Sequence, residues 1–147
     1  MLQVRKNAAF TLIELLVVVI IVAVLAAVGV PLLSANVTRA KASEAEAGLG
    51  AIRTQLRAKK AELGVYPSLT GTLNSGTPPD TVAEQLGLAL DDLDGRYFVT
   101  SDYSITSTDG TTYCIEVTGS SGPGTDAGSQ TVIRSMDQNG TISNASC

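Results

Sequence analysis

The chain has 147 residues, 44% of them hydrophobic, and a formal net charge of −4, which fits one compact domain with a long appended helix. It contains no histidine and only two cysteines, Cys114 and Cys147, which excludes a Cys/His metal cluster and a histidine-activated nucleophile. Because no spaced pair of acids stands out either, the sequence predicts a protein that is not an enzyme and needs no metal or other cofactor.

The N-terminal segment combines a short basic stretch with a long apolar run. Arg5 and Lys6 precede the run, which extends from Leu15 to Leu33 and is close to the roughly 20 residues that cross a bilayer as a helix. A cleavable secretory signal has a shorter apolar region, although Val24-Leu25-Ala26 could imitate its cleavage site. A plain membrane anchor is the other alternative, and the basic residues would keep Met1 in the cytoplasm.

Glu14 lies at the start of this apolar run and argues against a plain anchor. A carboxylate there costs several kcal/mol unless it finds a partner or reaches the interface. A cut just before Phe10 would create an α-amino group four residues from Glu14. A neighbouring copy staggered along a helical axis could then place that amine against the Glu14 carboxylate. The pairing would neutralise both charges and set the register between subunits.

The residues around this carboxylate carry a family resemblance. The segment Ala9-Phe10-Thr11-Leu12-Ile13-Glu14-Leu15-Leu16 resembles the signal of type IV prepilins and pseudopilins. The resemblance implies that a prepilin peptidase removes residues 1–9 by cutting between Ala9 and Phe10, and that the same enzyme N-methylates Phe10. Glu14 becomes the fifth mature residue. Ala9 departs from the pattern, because the residue before the cut is usually glycine.

Gly29 and Pro31 mark a weak point in the long helix. Proline lacks a backbone donor and its ring clashes with the preceding turn, while glycine weakens a helix by roughly 1 kcal/mol. These residues predict a kink or break. It is either a bend at the membrane surface or a stretch that melts when the subunit packs into a filament, and the resemblance favours melting.

The second half of the helix is predicted to be amphipathic and to pack on a sheet. Its apolar residues recur at helical spacing on one face; they are Ala45, Leu49, Ile52, Leu56 and Leu63. Gly64 and the nearby Pro67 end the helix. The predicted organisation is a leader at 1–9, a hydrophobic transmembrane or filament-core helix at 10–33, an amphipathic half at 34–63 and a globular head at 64–147.

The head is predicted to contain a short helix followed by strands. Capping-box spacing between Thr81 and Glu84 predicts a helix through about Leu93, and Asp109-Gly110 predicts a hairpin turn. Strands are predicted at Arg96–Thr100, Tyr103–Ser107, Thr112–Thr118 and Thr131–Ser135. The fold class is therefore α+β, with an antiparallel sheet on the amphipathic half, and this matches the type IV pilin fold that the resemblance implies.

Cys114 and Cys147 are predicted to form one disulfide, because two cysteines in an extracytoplasmic protein most simply pair with each other. The bridge would contribute about 3–4 kcal/mol in the chain-entropy model and would staple the C-terminal segment onto the sheet. The resemblance adds that such a pair bounds a disulfide loop facing outward on the filament. Residues 119–128 are expected to form a surface loop, and a calcium site there is disfavoured because Asp126 is its only carboxylate.

Charge is distributed unevenly along the chain. Residues 34–63 carry six basic and three acidic residues, whereas residues 64–147 carry ten acidic and two basic ones. This is either ordinary solvated surface or complementarity between subunits. Four basic residues cluster near the end of the helix, namely Arg53, Arg57, Lys59 and Lys60. Without interleaved aromatic residues they do not predict direct DNA binding.

The resemblance implies the structural subunit of an extracellular type IV pilus used for adhesion, twitching motility or DNA uptake. A pseudopilin of a type II secretion system is the alternative, and an unrelated membrane-anchored enzyme is disfavoured by the missing histidine and acid pair. The implied partners are further copies of this chain in a helical homopolymer, prepilin peptidase, an inner-membrane assembly platform with its ATPase, and a secretin. The subunit would reside in the inner membrane before assembly and in a surface filament afterwards.

Overall fold

A computed structural model describes residues 10–77, 80–107, 109–119, 121–124 and 132–147. Its elements in chain order are helix α1 (Leu12–Leu63), strand β1 (Leu69–Thr72), helix α2 (Val82–Leu86), a 3-10 turn (Thr100–Asp102), and strands β2 (Tyr103–Ser107), β3 (Cys114–Gly119), β4 (Val132–Asp137) and β5 (Ile142–Ser143). The strands form one antiparallel sheet in the order β1-β2-β3-β4-β5. A long N-terminal helix with a small antiparallel sheet is the α+β, type IV pilin-like architecture that the sequence predicted.

The chain divides into two compact units, the first ending at Thr38 and the second comprising Arg39–Cys147. In the first unit α1 is exposed on all sides, and within the described residues it is the one helix long and apolar enough to cross a membrane. Gly29 and Pro31 lie inside α1, which continues through both residues. The helix is therefore not interrupted at these residues, and a kink, or melting on assembly, stays a prediction.

The second unit has its hydrophobic core between α1 and the sheet. Helix α1 contributes one buried stripe, which consists of Lys41, Ala45, Leu49, Ile52 and Leu56. Its apolar residues meet alternate residues of β2 and β3, because side chains along a strand alternate between the two faces; these are Tyr103, Ile105, Ile115 and Val117. Leu63, predicted on the same stripe, is 60% exposed because it lies in the last turn, beyond the buried part of the helix.

Two short strands, β1 and β5, arise where the sequence predicted none. Leu69–Thr72 pairs with β2 and Ile142–Ser143 with β4; their Thr-, Gly- and Ser-rich sequences lack an apolar strand pattern. Helix α2 starts with the predicted capping box at Thr81, but it ends earlier than expected. Gly87 adopts a left-handed conformation (φ +83°) and caps the helix after Leu86.

The strand predicted at Arg96–Thr100 is wrong. The N–H groups of Arg96, Tyr97 and Phe98 donate to the Glu44 carboxylate, and that of Thr100 donates to Asp94. Donors bound in this way cannot pair with a neighbouring strand, so the segment becomes a loop fastened to α1.

Candidate functional site

The start of α1 brings together the residues that the sequence singled out for assembly. Phe10 precedes the helix and is 80% exposed, and Glu14 lies in the first turn. Residue 9 is still attached in this chain, so the Phe10 nitrogen is an amide here and becomes an amine only after cleavage. The leader and Ala9 lie outside the described residues, and the roles of Ala9 and Phe10 in cleavage and methylation stay predictions.

Thr11 and Glu14 form a reciprocal capping box at this helix start. Oε2 of Glu14 accepts hydrogen bonds from the Thr11 N–H at 2.9 Å and the Thr11 hydroxyl at 2.7 Å. In return the Glu14 N–H donates to the Thr11 hydroxyl oxygen at 3.3 Å. This contact was not predicted from the sequence, although Thr-x-x-Glu before an apolar run is its known pattern. The carboxylate therefore already has hydrogen-bond donors within its own subunit.

The helix behind this capping box exposes a continuous apolar surface. Every described large hydrophobic residue from Leu12 to Leu33 is about half exposed or more. A water-soluble monomer rarely exposes so large an apolar patch. The surface therefore needs lipid or other apolar helices around it.

Glu44 fastens the amphipathic half of α1 to the loop that follows α2. Its Oε1 accepts the N–H groups of Tyr97 at 2.7 Å and Phe98 at 2.9 Å, and its Oε2 accepts that of Arg96 at 3.2 Å. A Cβ on Gly95 would lie 2.5 Å from Oε1, so a larger residue there would require the Glu44 carboxylate to shift. The head is thereby fixed to the helix at a position that sequence spacing does not reveal.

Further polar contacts attach the other side of the head to α1. Arg53 donates to the carbonyl of Asn139 at 3.0 Å, in the turn between β4 and β5. Glu46 and Arg134 of β4 form an ion pair at 3.5 Å.

Tyr103 lies against Gly48 of α1, where any Cβ would strike its ring and hydroxyl. Burial, reinforced by nearby Glu44 and Asp102, raises the pKa of Tyr103 well above its ordinary value.

The C-terminal segment is held by covalent and polar contacts rather than by burial. Cys114 and Cys147 form a disulfide with their Cα atoms 6.0 Å apart. The Cys147 N–H also donates to Oε2 of Glu116 on β3 at 2.8 Å. Residues 141–147 are all exposed, so the segment is held by these attachments and by the pairing of β5 with β4.

The turn between β2 and β3 is organised by Asp109. Its carboxylate accepts the N–H of Thr111 at 3.0 Å, and the N–H and hydroxyl of Thr112, both at 2.8 Å. These bonds, those from Thr112 first, hold the pKa of Asp109 far below its ordinary range. Gly110 is left-handed, with φ +70°, and lies in a connection between β2 and β3 that is longer than a two-residue Asp-Gly turn.

The basic cluster near the end of α1 is largely engaged within the subunit. Arg53 binds Asn139, Lys59 pairs with Glu62 at 3.3 Å, and the Lys60 ammonium lies 4.2 Å from the centre of the Tyr66 ring. Within the described part of the chain, no group of His, Cys, Asp or Glu is arranged to hold a metal ion. The sequence disfavours a calcium site in residues 119–128. Asp126, the only carboxylate of that segment, lies outside the described residues.

Comparison with known proteins identifies the N-terminal segment. Residues 4–30 match the family described as the prokaryotic N-terminal methylation motif. No curated protein matches the chain. The motif is the class III signal, and together with the pilin-like fold it supports a type IV pilin or pseudopilin.

Proposed function

We propose that this chain is the structural subunit of an extracellular type IV pilus and assembles through its N-terminal helix. The observation that carries the proposal is the methylation motif at the start of an apolar helix that its own fold leaves uncovered. Pilin-type subunits are in general structural. Adhesion, twitching motility and DNA uptake are all compatible with such a filament.

Assembly follows from the chemistry of the helix start. Removal of residues 1–9 by prepilin peptidase leaves an amine on Phe10, and methylation keeps its positive charge. In the inner membrane the exposed face of α1 contacts lipid. In the filament the same face packs against other copies, and the Phe10 amine of one copy pairs with the Glu14 carboxylate of the next. Because the two partners occupy different positions on each subunit, the contact is heterologous, and it extends into an open helical polymer when the rotation between copies does not close a ring.

The assembly partners are inferred from cleavage before Phe10 and from assembly through α1, and no surface of the head is assigned to them. An inner-membrane platform with its ATPase would extract the subunit, and a secretin would pass the filament through the outer membrane. Unequal charges on the amphipathic half and the head would add complementarity between copies. We do not propose direct DNA binding, since three of the four clustered basic residues already have partners within the subunit.

A pseudopilin of a type II secretion system is the second candidate. The Cys114–Cys147 bridge favours the pilus, because it secures an exposed C-terminal segment where a filament meets shear and proteases. A pseudopilin would work in a short periplasmic filament instead. Recovery of the subunit in filaments sheared from the cell surface favours the pilus, and its confinement to the cell envelope favours the pseudopilin.

The pairing itself is tested by Glu14→Ala. We expect the leader to be removed normally, since the cut precedes Phe10, while the amount of subunit in sheared filaments falls steeply. Glu62→Ala is the matched control, because Glu62 is exposed in the last turn of the same helix, where it pairs with Lys59. Normal filament yield from Glu14→Ala would remove the charge-pairing mechanism.

A further inference from the structure

The two oxygens of the Glu14 carboxylate are used unequally. Both hydrogen bonds from Thr11 end on Oε2, and Oε1 accepts none from any residue that the structure describes. A carboxylate can accept about four hydrogen bonds over its two oxygens. Glu14 can therefore keep its contact with Thr11 while Oε1 accepts a proton donor from outside the subunit.

We propose that Thr11 is a positioning residue for assembly, which holds Glu14 so that Oε1 faces the Phe10 amine of a second copy. This inference rests on the proposed function. The backbone N–H and the hydroxyl of Thr11 fix the position of Oε2, and the rotation of the carboxylate about its last bond is thereby restricted. An exposed glutamate otherwise samples many rotamers and must lose that freedom when it pairs. Thr11 removes part of this cost before the neighbouring copy arrives.

The hydroxyl of Thr11 has a second task, because it accepts the Glu14 N–H at 3.3 Å and so caps the helix. Serine can perform both tasks, since its hydroxyl donates and accepts equally. Valine has nearly the shape of threonine and can perform neither. A comparison of Thr11→Ser with Thr11→Val therefore separates the effect of the hydroxyl from the effect of side-chain size.

The test measures incorporation in cells that make wild-type and variant subunits together. The sheared filaments are digested, and the ratio of variant to wild-type N-terminal peptides is divided by the same ratio for processed subunit in the membrane. This normalisation removes any effect of residue 11 on cleavage. We expect Thr11→Val to incorporate about two- to tenfold less than wild type, the order expected when one rotamer-rich side chain must be ordered on assembly. Thr11→Ser should match wild type.

The dependence of the Thr11→Val effect on Glu14 distinguishes a positioning role of Thr11 from a role in helix capping alone. If Thr11 acts through the carboxylate, Thr11→Val should lower incorporation much less in a Glu14→Gln background than in the wild type, since the carboxylate to be positioned is gone. An equal loss in both backgrounds would overturn the proposal. Thr38→Val is the matched control, because the exposed Thr38 hydroxyl donates to the Ser34 carbonyl of its own helix at 3.1 Å.

The remaining outcomes separate this inference from the proposed function. Normal incorporation of Thr11→Val beside poor incorporation of Glu14→Gln would overturn the role of Thr11 and leave the amine–carboxylate pairing intact. Failure of Thr11→Ser to restore incorporation would also overturn the role of the hydroxyl. Normal incorporation of Glu14→Gln would remove the pairing and the positioning role together.

Discussion

Replacing Glu44 with alanine should be among the most destabilising single changes in the head. The substitution removes three hydrogen bonds that connect α1 to residues 96–98. A hydrogen bond to a charged group contributes about 1.5–3 kcal/mol, but Glu44 is only half-buried, and water can replace part of what is lost. The N–H groups of Tyr97 and Phe98 are the better shielded of the three. We therefore expect a loss of about 2–4 kcal/mol, a large share of the roughly 5–15 kcal/mol of a typical domain.

Two further variants calibrate this magnitude. Glu44→Gln keeps one acceptor oxygen but no charge, so its loss should be smaller, about 1–2 kcal/mol. Glu46→Ala is the matched control two residues away. It breaks a partly exposed ion pair of 3.5 Å with Arg134, and such pairs contribute about 0–1 kcal/mol.

The assay is urea unfolding of the full chain in detergent, monitored by tyrosine fluorescence. The chain has no tryptophan and four tyrosines, all of which lie in the head and report its unfolding; they are Tyr66, Tyr97, Tyr103 and Tyr113. The midpoint should fall in the order wild type, Glu46→Ala, Glu44→Gln, Glu44→Ala. If Glu44→Ala unfolds at the same urea concentration as Glu46→Ala, the carboxylate does not fasten the loop to the helix.

Three further predictions concern packing, the disulfide and pH. Gly48→Ala should destabilise the head despite the higher helix propensity of alanine, because the new Cβ strikes Tyr103; an unchanged thermal midpoint would contradict this contact. Cys147→Ser should lower head stability by about 3–4 kcal/mol in the chain-entropy model and reduce surface filaments without impairing membrane insertion. A variant as stable as wild type, with or without reductant, would contradict the stabilising role of the disulfide. Because its hydrogen bonds lower the pKa of Asp109, this residue stabilises the fold above about pH 4 and progressively less as acid protonates it. Asp109→Asn should therefore show a shallower loss of stability between about pH 5 and pH 2, and an identical acid profile would refute its contribution.

Much of the head could be predicted because its local patterns agree with its tertiary contacts. Tyr103–Ser107 alternates apolar and polar residues and forms β2 with those bounds. The segment 96–100 has a similar composition, but its donors bind carboxylates instead of a strand. Glu44 lies more than 50 residues away in sequence, and no local pattern predicts such a contact. Strand β5 was missed because a two-residue pairing leaves almost no pattern to detect.

The candidate site was predicted from a conflict between a residue and its surroundings. Glu14 stands out because an apolar run has no ordinary use for a carboxylate. Its contact with Thr11 was overlooked because the same residues were interpreted only as a processing signal. The burial of Lys41 at 4% exposure was also missed, since a lysine on an apolar stripe contradicts the usual helix pattern. Its ammonium lies 5.7 Å from the centre of the Tyr97 ring, and this ring comes from a loop that periodicity does not place.

We propose that the mature subunit begins at Phe10 and works in a surface filament. Mass spectrometry of the N-terminal peptide from filaments sheared off intact cells tests this proposal. We expect an abundant peptide that begins with N-methylated Phe10. Recovery of that peptide only from the membrane fraction would retain the processing but favour the pseudopilin. Assembled subunits that still carry Met1 would contradict the account, because the amine that pairs with Glu14 would not exist.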